Sequence, residues 1–237
     1  MTIDVEKTPT RGPNPVLAAT IAAVAMVAQH VIGKATRDAL FLSHFPASRL
    51  PLVLIVGSVV SAVVVYGTTR LVGRFGPARV APFAFAAHGL LALVEWALSS
   101  RFEAPVALVF YVQTVAIGPP LVSAFWSVVS EGFDPHTAKK VIGRIGAGAA
   151  LGGIVGGAIA LGASKVTTVP TMLGVVARLS GVCAWATSAL ARGTSSATSP
   201  SPGAPSPSGL TALRRTPYLR LLALMVLLGA STQGLLD

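Results

Sequence analysis

Blocks of roughly twenty apolar residues, repeated along the chain and separated by short polar stretches, constrain this sequence more than any other feature. A helix needs about 20 such residues to cross a hydrocarbon core of about 30 Å. Seven segments meet that length, at 15–33, 50–71, 80–98, 104–128, 142–163, 169–190 and 218–236. In lipid every backbone N–H and C=O must be satisfied within its own segment, so each block predicts a helix. Charged residues are 11% of the chain, under half the roughly 25% of a soluble domain. The expectation is an all-α polytopic membrane protein.

The polar stretches divide the chain. Residues 1–14 form a polar N-terminal tail, and 15–192 carry the first six blocks. Residues 193–209 read GTSSATSPSPGAPSPSG, a composition too poor in apolar side chains to bury a core, and predict a linker. The seventh block lies in 210–237. The tail is polar and the first block is long and lacks a clean cleavage site, so it reads as a span and not as a signal peptide. Cys183 stands alone inside an apolar block, which excludes a disulfide framework or a cysteine metal site.

The net charge of +10 would suggest nucleic acid on a soluble domain. Here the cations sit between the blocks, and topology accounts for them better. Alternate loops collect 12 Lys and Arg on one side, among them Lys7, Arg11, Arg70, Arg74, Arg79, Lys139, Lys140 and Arg144. The other side collects 5, namely Lys34, Arg37, Arg49, Arg101 and Lys165. The positive-inside rule therefore places the N-terminus and the Ser/Pro linker in the cytoplasm. That orientation opposes a rhodopsin-like receptor, and no Lys lies deep in the seventh block to hold a retinal.

Ionisable groups within spans are expensive, so each is a candidate site. His88 and Glu95 are seven residues apart, two helical turns, and fall on one face. Gln113 lies near the middle of the fourth block, ahead of Gly118-Pro119-Pro120, where the prolines predict a break or kink. Arg178 falls about nine residues into the sixth block and needs an acidic partner or an anion. Gln29 and His30 lie in the first block. Lys34 and Asp38 are spaced to pair on one face at its end, beside Arg37. Each competes with a plainer role, as interhelical hydrogen-bonding partner or as a boundary residue that snorkels to water. In the fifth block Gly148, Gly152 and Gly156 recur at four-residue steps, as do Gly153 and Gly157, and predict a close helix–helix contact. No nucleophile elbow, zinc spacing or phosphate loop occurs, so neither an enzyme nor a cofactor is expected.

Lys34, Thr36, Arg37 and Asp38 form a basic-x-Thr-basic-Asp motif at the end of the first helix. Ala138, Lys139 and Lys140 form an Ala-Lys-basic motif before a glycine-rich fifth helix, and Pro217 to Arg220 a Pro-Tyr-Leu-Arg opening of the seventh. In this order the three short motifs resemble those of the ATP/ADP translocases (nucleotide transporter family) and their bacterial relatives in the major facilitator superfamily. The nucleotide exchangers usually have a Lys near the position of Leu54, and the superfamily's cytoplasmic loop motif has an acidic residue where Gly73 stands in the 67–79 loop.

The resemblance implies a six-helix half of a major-facilitator-like bundle followed by the start of a second half, in a bacterial inner membrane. It implies alternating-access transport of a nucleotide or, with Leu54 in place of a phosphate-pairing Lys, another organic anion. Arg178, Lys34, Arg37, Gln113, His88, Glu95 and Lys140 are the candidate substrate contacts. The chain stopping near the end of a seventh span reads as a fragment, inactive until a C-terminal half or a second copy completes it. The alternative is a membrane anchor or sensor module derived from the same fold. The lipid bilayer is the expected partner in either case, and nucleic acid in neither.

Overall fold

The structure is a computed structural model and describes residues 14–133, 135–166 and 168–194, with 217, 218, 220, 221, 224, 225 and 228 beyond them. The chain divides into two units, 1–198 and 199–237. In the first, six long helices follow one another: α1 Pro15–His44, α2 Leu50–Phe75, α3 Pro77–Leu98, α4 Glu103–Gly132, α5 Pro135–Val166 and α6 Thr171–Thr194. All six contain a stretch long and apolar enough to cross a membrane. In the second unit the described positions are helical. The tail to residue 13, the linker from 195 and most of the seventh span expected at 218–236 lie outside the described residues.

Local chemistry sets the helix ends. Asn14 caps α1 by accepting a hydrogen bond from the Val16 amide at 3.0 Å, and Pro15 occupies the first turn, where its missing N–H costs nothing. α2 and α3 also begin with proline in the first turn, at Pro51 and Pro77. Between them Gly76 alone turns the chain, at φ +78°, a conformation a side chain would strain. The 67–79 segment expected as a loop is therefore mostly helix, because one left-handed glycine and a helix-starting proline replace it.

Two further boundaries differ from the sequence expectation. α1 runs 11 residues past Gly33, to His44, because charged side chains end a hydrocarbon span without ending a helix. α4 continues as helix through Pro119 and Pro120, so of the expected break or kink the break does not occur. The two prolines remove the donors to the Val115 and Ala116 carbonyls alone, and the rest of the helix keeps its ladder.

α1 packs on α5, α6 and α4, α4 packs also on α2 and α3, and α3 lies along α6. Glycine sits at the tightest crossings. A Cβ on Gly152 would strike the carbonyl oxygen of Val24, and one on Gly156 would come within 2.8 Å of Ala28 Cα. Gly148 meets Thr20 in the same way, whereas Gly157 has open space around it, so the 148/152/156 row is the one that faces α1. Gly57 faces Val115 across α2 and α4, and Gly89 faces Ser180 across α3 and α6. Around the crossings Phe85, Phe125, Ile145 and Leu190 are fully buried, while Leu52, Ile55 and Val63 of α2 and Ile154 and Leu161 of α5 are exposed. Apolar side chains inside and out suit a bundle solvated by lipid.

Candidate functional site

The interior of the bundle is not uniformly apolar. Gln29 on α1, His88 and Glu95 on α3, Gln113 and Thr114 on α4 and Ser180 on α6 are all buried. Each polar group there must find a partner inside the protein. Two turns of α3 separate His88 from Glu95, so both side chains leave the same face and meet Gln113 from α4. The Gln113 amide has two orientations here, the first satisfied only when Glu95 carries a proton and the second when it does not. In one, Nε2 donates to His88 Nδ1 at 3.2 Å. In the other, Nε2 donates to Glu95 Oε1 at 2.7 Å and Oε2 at 3.3 Å, and Oε1 accepts from His88 Nδ1 at 3.2 Å.

Beside this trio lies a cavity of about 20 Å³, enough for roughly one water molecule. His30 and Gln29 reach it from α1, His88 from α3, Thr114 and Gly118 from α4, and Val176 from α6. Gly118 gives His30 its room, since a Cβ there would lie 3.3 Å from the imidazole. Ser180 Oγ stands 3.1 Å from Gln29 Oε1 and 2.8 Å from the Val176 carbonyl, and can donate to either. Gly89 lets Ser180 approach, because a Cβ in its place would stand 2.7 Å from Ser180 Cβ. The cavity thus lies where α1, α3, α4 and α6 converge.

The other candidate residues sit elsewhere. Arg37 is buried near the end of α1, where its Nε donates to Asp38 Oδ1 at 2.9 Å and its guanidinium stacks 4.8 Å from the Tyr111 ring centre. Asp38, spaced to pair with Lys34, accepts from its neighbour Arg37. Lys34 is half-buried one turn beyond His30. Lys140 is exposed on the early turns of α5. Arg178 is exposed on the α6 face shared with Val182 and Trp185, opposite the buried Val176, Ser180 and Cys183, and is not among the cavity's walls.

Two contacts escaped the sequence reading. His44 Nε2 lies 3.1 Å from Glu103 Oε2 and ties the end of α1 to the start of α4, beyond the apolar span. The Leu40 carbonyl and the Glu103 carboxylate together raise the His44 pKa above its ordinary value. The residues are 59 positions apart, and no spacing rule joins them. The Ser180–Gln29 contact, 151 positions apart, was equally invisible.

No family model, curated protein or solved structure matches the chain, so its chemistry is read from its own side chains. The trio holds one carboxyl, one imidazole and one amide, away from bulk water and beside a small, mostly apolar cavity into which Gln29, His30, His88 and Thr114 bring polar groups. Such a set can bind a proton and orient a hydrogen-bonding ligand. Among the described residues no cluster of three or more His, Cys, Asp or Glu could hold a metal ion.

Proposed function

We propose that this chain forms a six-helix half of a carrier of the major facilitator type, which moves a nucleotide or another organic anion across a bacterial inner membrane. The packing scheme is the observation that carries the reading. Exchanging α1, α2 and α3 for α4, α5 and α6 turns the α1–α5 and α1–α6 contacts into α4–α2 and α4–α3, all of which occur. The α3–α6 and α1–α4 contacts map onto themselves, while the lighter α2–α3 and α4–α6 contacts fall outside the exchange. Three is an odd number of spans, so two such units enter the membrane with opposite topology. Inverted repeats of this kind build many secondary transporters, with the binding site near the midplane at the repeat interface. The small cavity beside His88 lies between α1 and α3 of one unit and α4 and α6 of the other.

The cation bias places the N-terminus and the α2–α3 and α4–α5 turns in the cytoplasm. Lys34 and Arg37 then stand at the outer mouth and attract anions, with Arg37 already held by Asp38 and Tyr111. Arg178 and Lys140, exposed on the bundle, touch an anion only where a second bundle covers them. A complementary half or a second copy supplies that bundle and the partner for rocking.

The test is uptake of labelled ATP, ADP and smaller organic anions by proteoliposomes containing the chain, with cross-linking to score pairing of bundles. Saturable uptake, competed by unlabelled anion, is expected from paired bundles. Paired bundles that take up none of these anions would refute the proposal.

A further inference from the structure

We propose that Glu95, Gln113 and His88 form a proton-binding site that switches the second imidazole nitrogen of His88, Nε2, between hydrogen-bond acceptor and donor. Binding of the proton is independent of transport; its use as a coupling ion rests on the carrier reading above.

The argument starts from the amide. Gln113 has a donor end and an acceptor end, and both lie between Glu95 and His88. With Glu95 ionised, one orientation is satisfied. Gln113 Nε2 donates to the carboxylate, at 2.7 Å and 3.3 Å, and Gln113 Oε1 accepts from His88 Nδ1–H at 3.2 Å. A neutral imidazole carries one N–H, so His88 Nε2 is then a bare acceptor. With Glu95 protonated, its new O–H needs an acceptor and the amide reverses. Gln113 Oε1 accepts from Glu95, and Gln113 Nε2 donates to His88 Nδ1 at 3.2 Å. Nδ1 must then be unprotonated, and the single imidazole proton moves to Nε2.

The balance is one proton gained, forming one O–H bond on Glu95. His88 stays neutral and exchanges its proton from Nδ1 to Nε2 through water, for which the adjoining cavity has room. A His88 that lines this cavity therefore offers a donor when Glu95 is protonated and an acceptor when it is not. An anionic or carbonyl-bearing ligand is favoured in the first state and disfavoured in the second. Proton and ligand binding are coupled with no movement larger than an amide reversal.

Other titratable and charged groups surround these three, and His30 shares the His88 cavity. Glu95 is 4% exposed, and its partner is an uncharged amide. On α3 itself the remaining ionisable group is Arg79, four turns before Glu95. α1 brings His30 to the cavity, followed by Lys34 and by Arg37, which is engaged with Asp38. α4 presents Glu103 in its first turn, engaged with His44, and Tyr111, engaged with Arg37. α6 presents Ser180, with Cys183 one turn on and Arg178 on the exposed face. α2 touches α3 lightly and carries exposed Arg70 and Arg74 far along the helix from Glu95.

The experiment uses the whole chain in lipid bilayers without any transported anion, so a failed uptake assay does not touch it. Infrared titration reads the protonated-carboxyl stretch, and solid-state NMR of ¹⁵N-histidine reads which nitrogen of His88 is protonated, with a His88→Gln sample identifying its signals. As pH rises the carboxyl band should vanish, and over the same interval His88 should pass from the Nε2–H to the Nδ1–H form. Glu95→Gln should remove the band and leave His88 in one form at every pH. Gln113→Leu should let Glu95 titrate while His88 no longer follows. A difference spectrum, wild type minus Glu95→Gln, with no carboxyl band that titrates together with His88 overturns the proposal. So does a wild-type His88 that keeps one tautomer while Glu95 titrates, a result that needs no variant to fold.

Discussion

A methyl group at Gly152 should separate α5 from the bundle. The three glycines at 148, 152 and 156 span eight residues, about 12 Å of helix, and lie against Thr20, Val24 and Ala28 of α1. At Gly156 an added Cβ would be about 0.6 Å short of ordinary contact with Ala28, and at Gly152 the intrusion on Val24 is deeper. At both positions the neighbour is backbone and cannot rotate away. α1 is also the helix on which α5 packs most, so little else holds α5 in place. Between helices in lipid, close packing replaces the hydrophobic drive, so a lost seam has no substitute. Overpacking of this kind costs about 1–3 kcal/mol, a fall of several degrees in melting temperature at about 2–4 °C per kcal/mol for a chain of this size. Gly157→Ala is the control, one helix position that meets nothing within 4 Å. It should be neutral or gain up to about 1 kcal/mol from the stiffer backbone. Thermal unfolding in detergent, followed by size exclusion, compares Gly152→Ala with Gly157→Ala. Equal melting temperatures for the two variants would refute the close-contact argument.

Three further outcomes are expected. The raised His44 pKa stabilises the α1–α4 tie fully below the ordinary histidine value of 6.5, and the contribution disappears as pH rises through the higher folded value. Part of that shift comes from the Leu40 carbonyl, so Glu103→Gln should lower the melting temperature slightly in acid and leave it unchanged in alkali; a gap that grows with pH contradicts the tie. Arg37→Lys should destabilise by about 1–3 kcal/mol, close to Arg37→Ala, because lysine lacks both the Nε donor to Asp38 and the planar group that stacks on Tyr111; full retention of melting temperature by the lysine variant would count against it. Cysteines placed at Arg70 or Arg74 should react with a membrane-impermeant thiol reagent from the cytoplasm, and those at Arg49 or Arg101 from the opposite side, with Cys183 buried and silent. The reverse pattern would invert the topology.

The sequence carries depth well and rotation poorly, and the differences found here follow from that. Twenty apolar residues fix a span because lipid leaves the backbone no alternative to a helix, and six of the seven expected blocks coincide with α1 to α6. Their ends were misplaced where the cue was a charge, as at Lys34, since a helix continues through the interface where a span does not. Rotation was legible where two polar or small residues repeat on one helix. The seven-residue step from His88 to Glu95 put both on one face, and the four-residue glycine steps announced a crossing. A single polar residue gives no azimuth. Arg178 lies at the same depth whichever way α6 turns, and only packing decides that Ser180 faces Gln29 while Arg178 faces outward. Two glycine rows on one helix leave the same ambiguity, resolved by the backbone of α1 in favour of 148/152/156. The trio needed one more dimension again. The face of α3 was readable alone, but Gln113 turns Glu95 and His88 into a single unit, and its place opposite them depends on α3 and α4 being neighbours. In a membrane bundle the chemistry therefore collects where a repeated polar face on one helix meets a lone polar residue on the next.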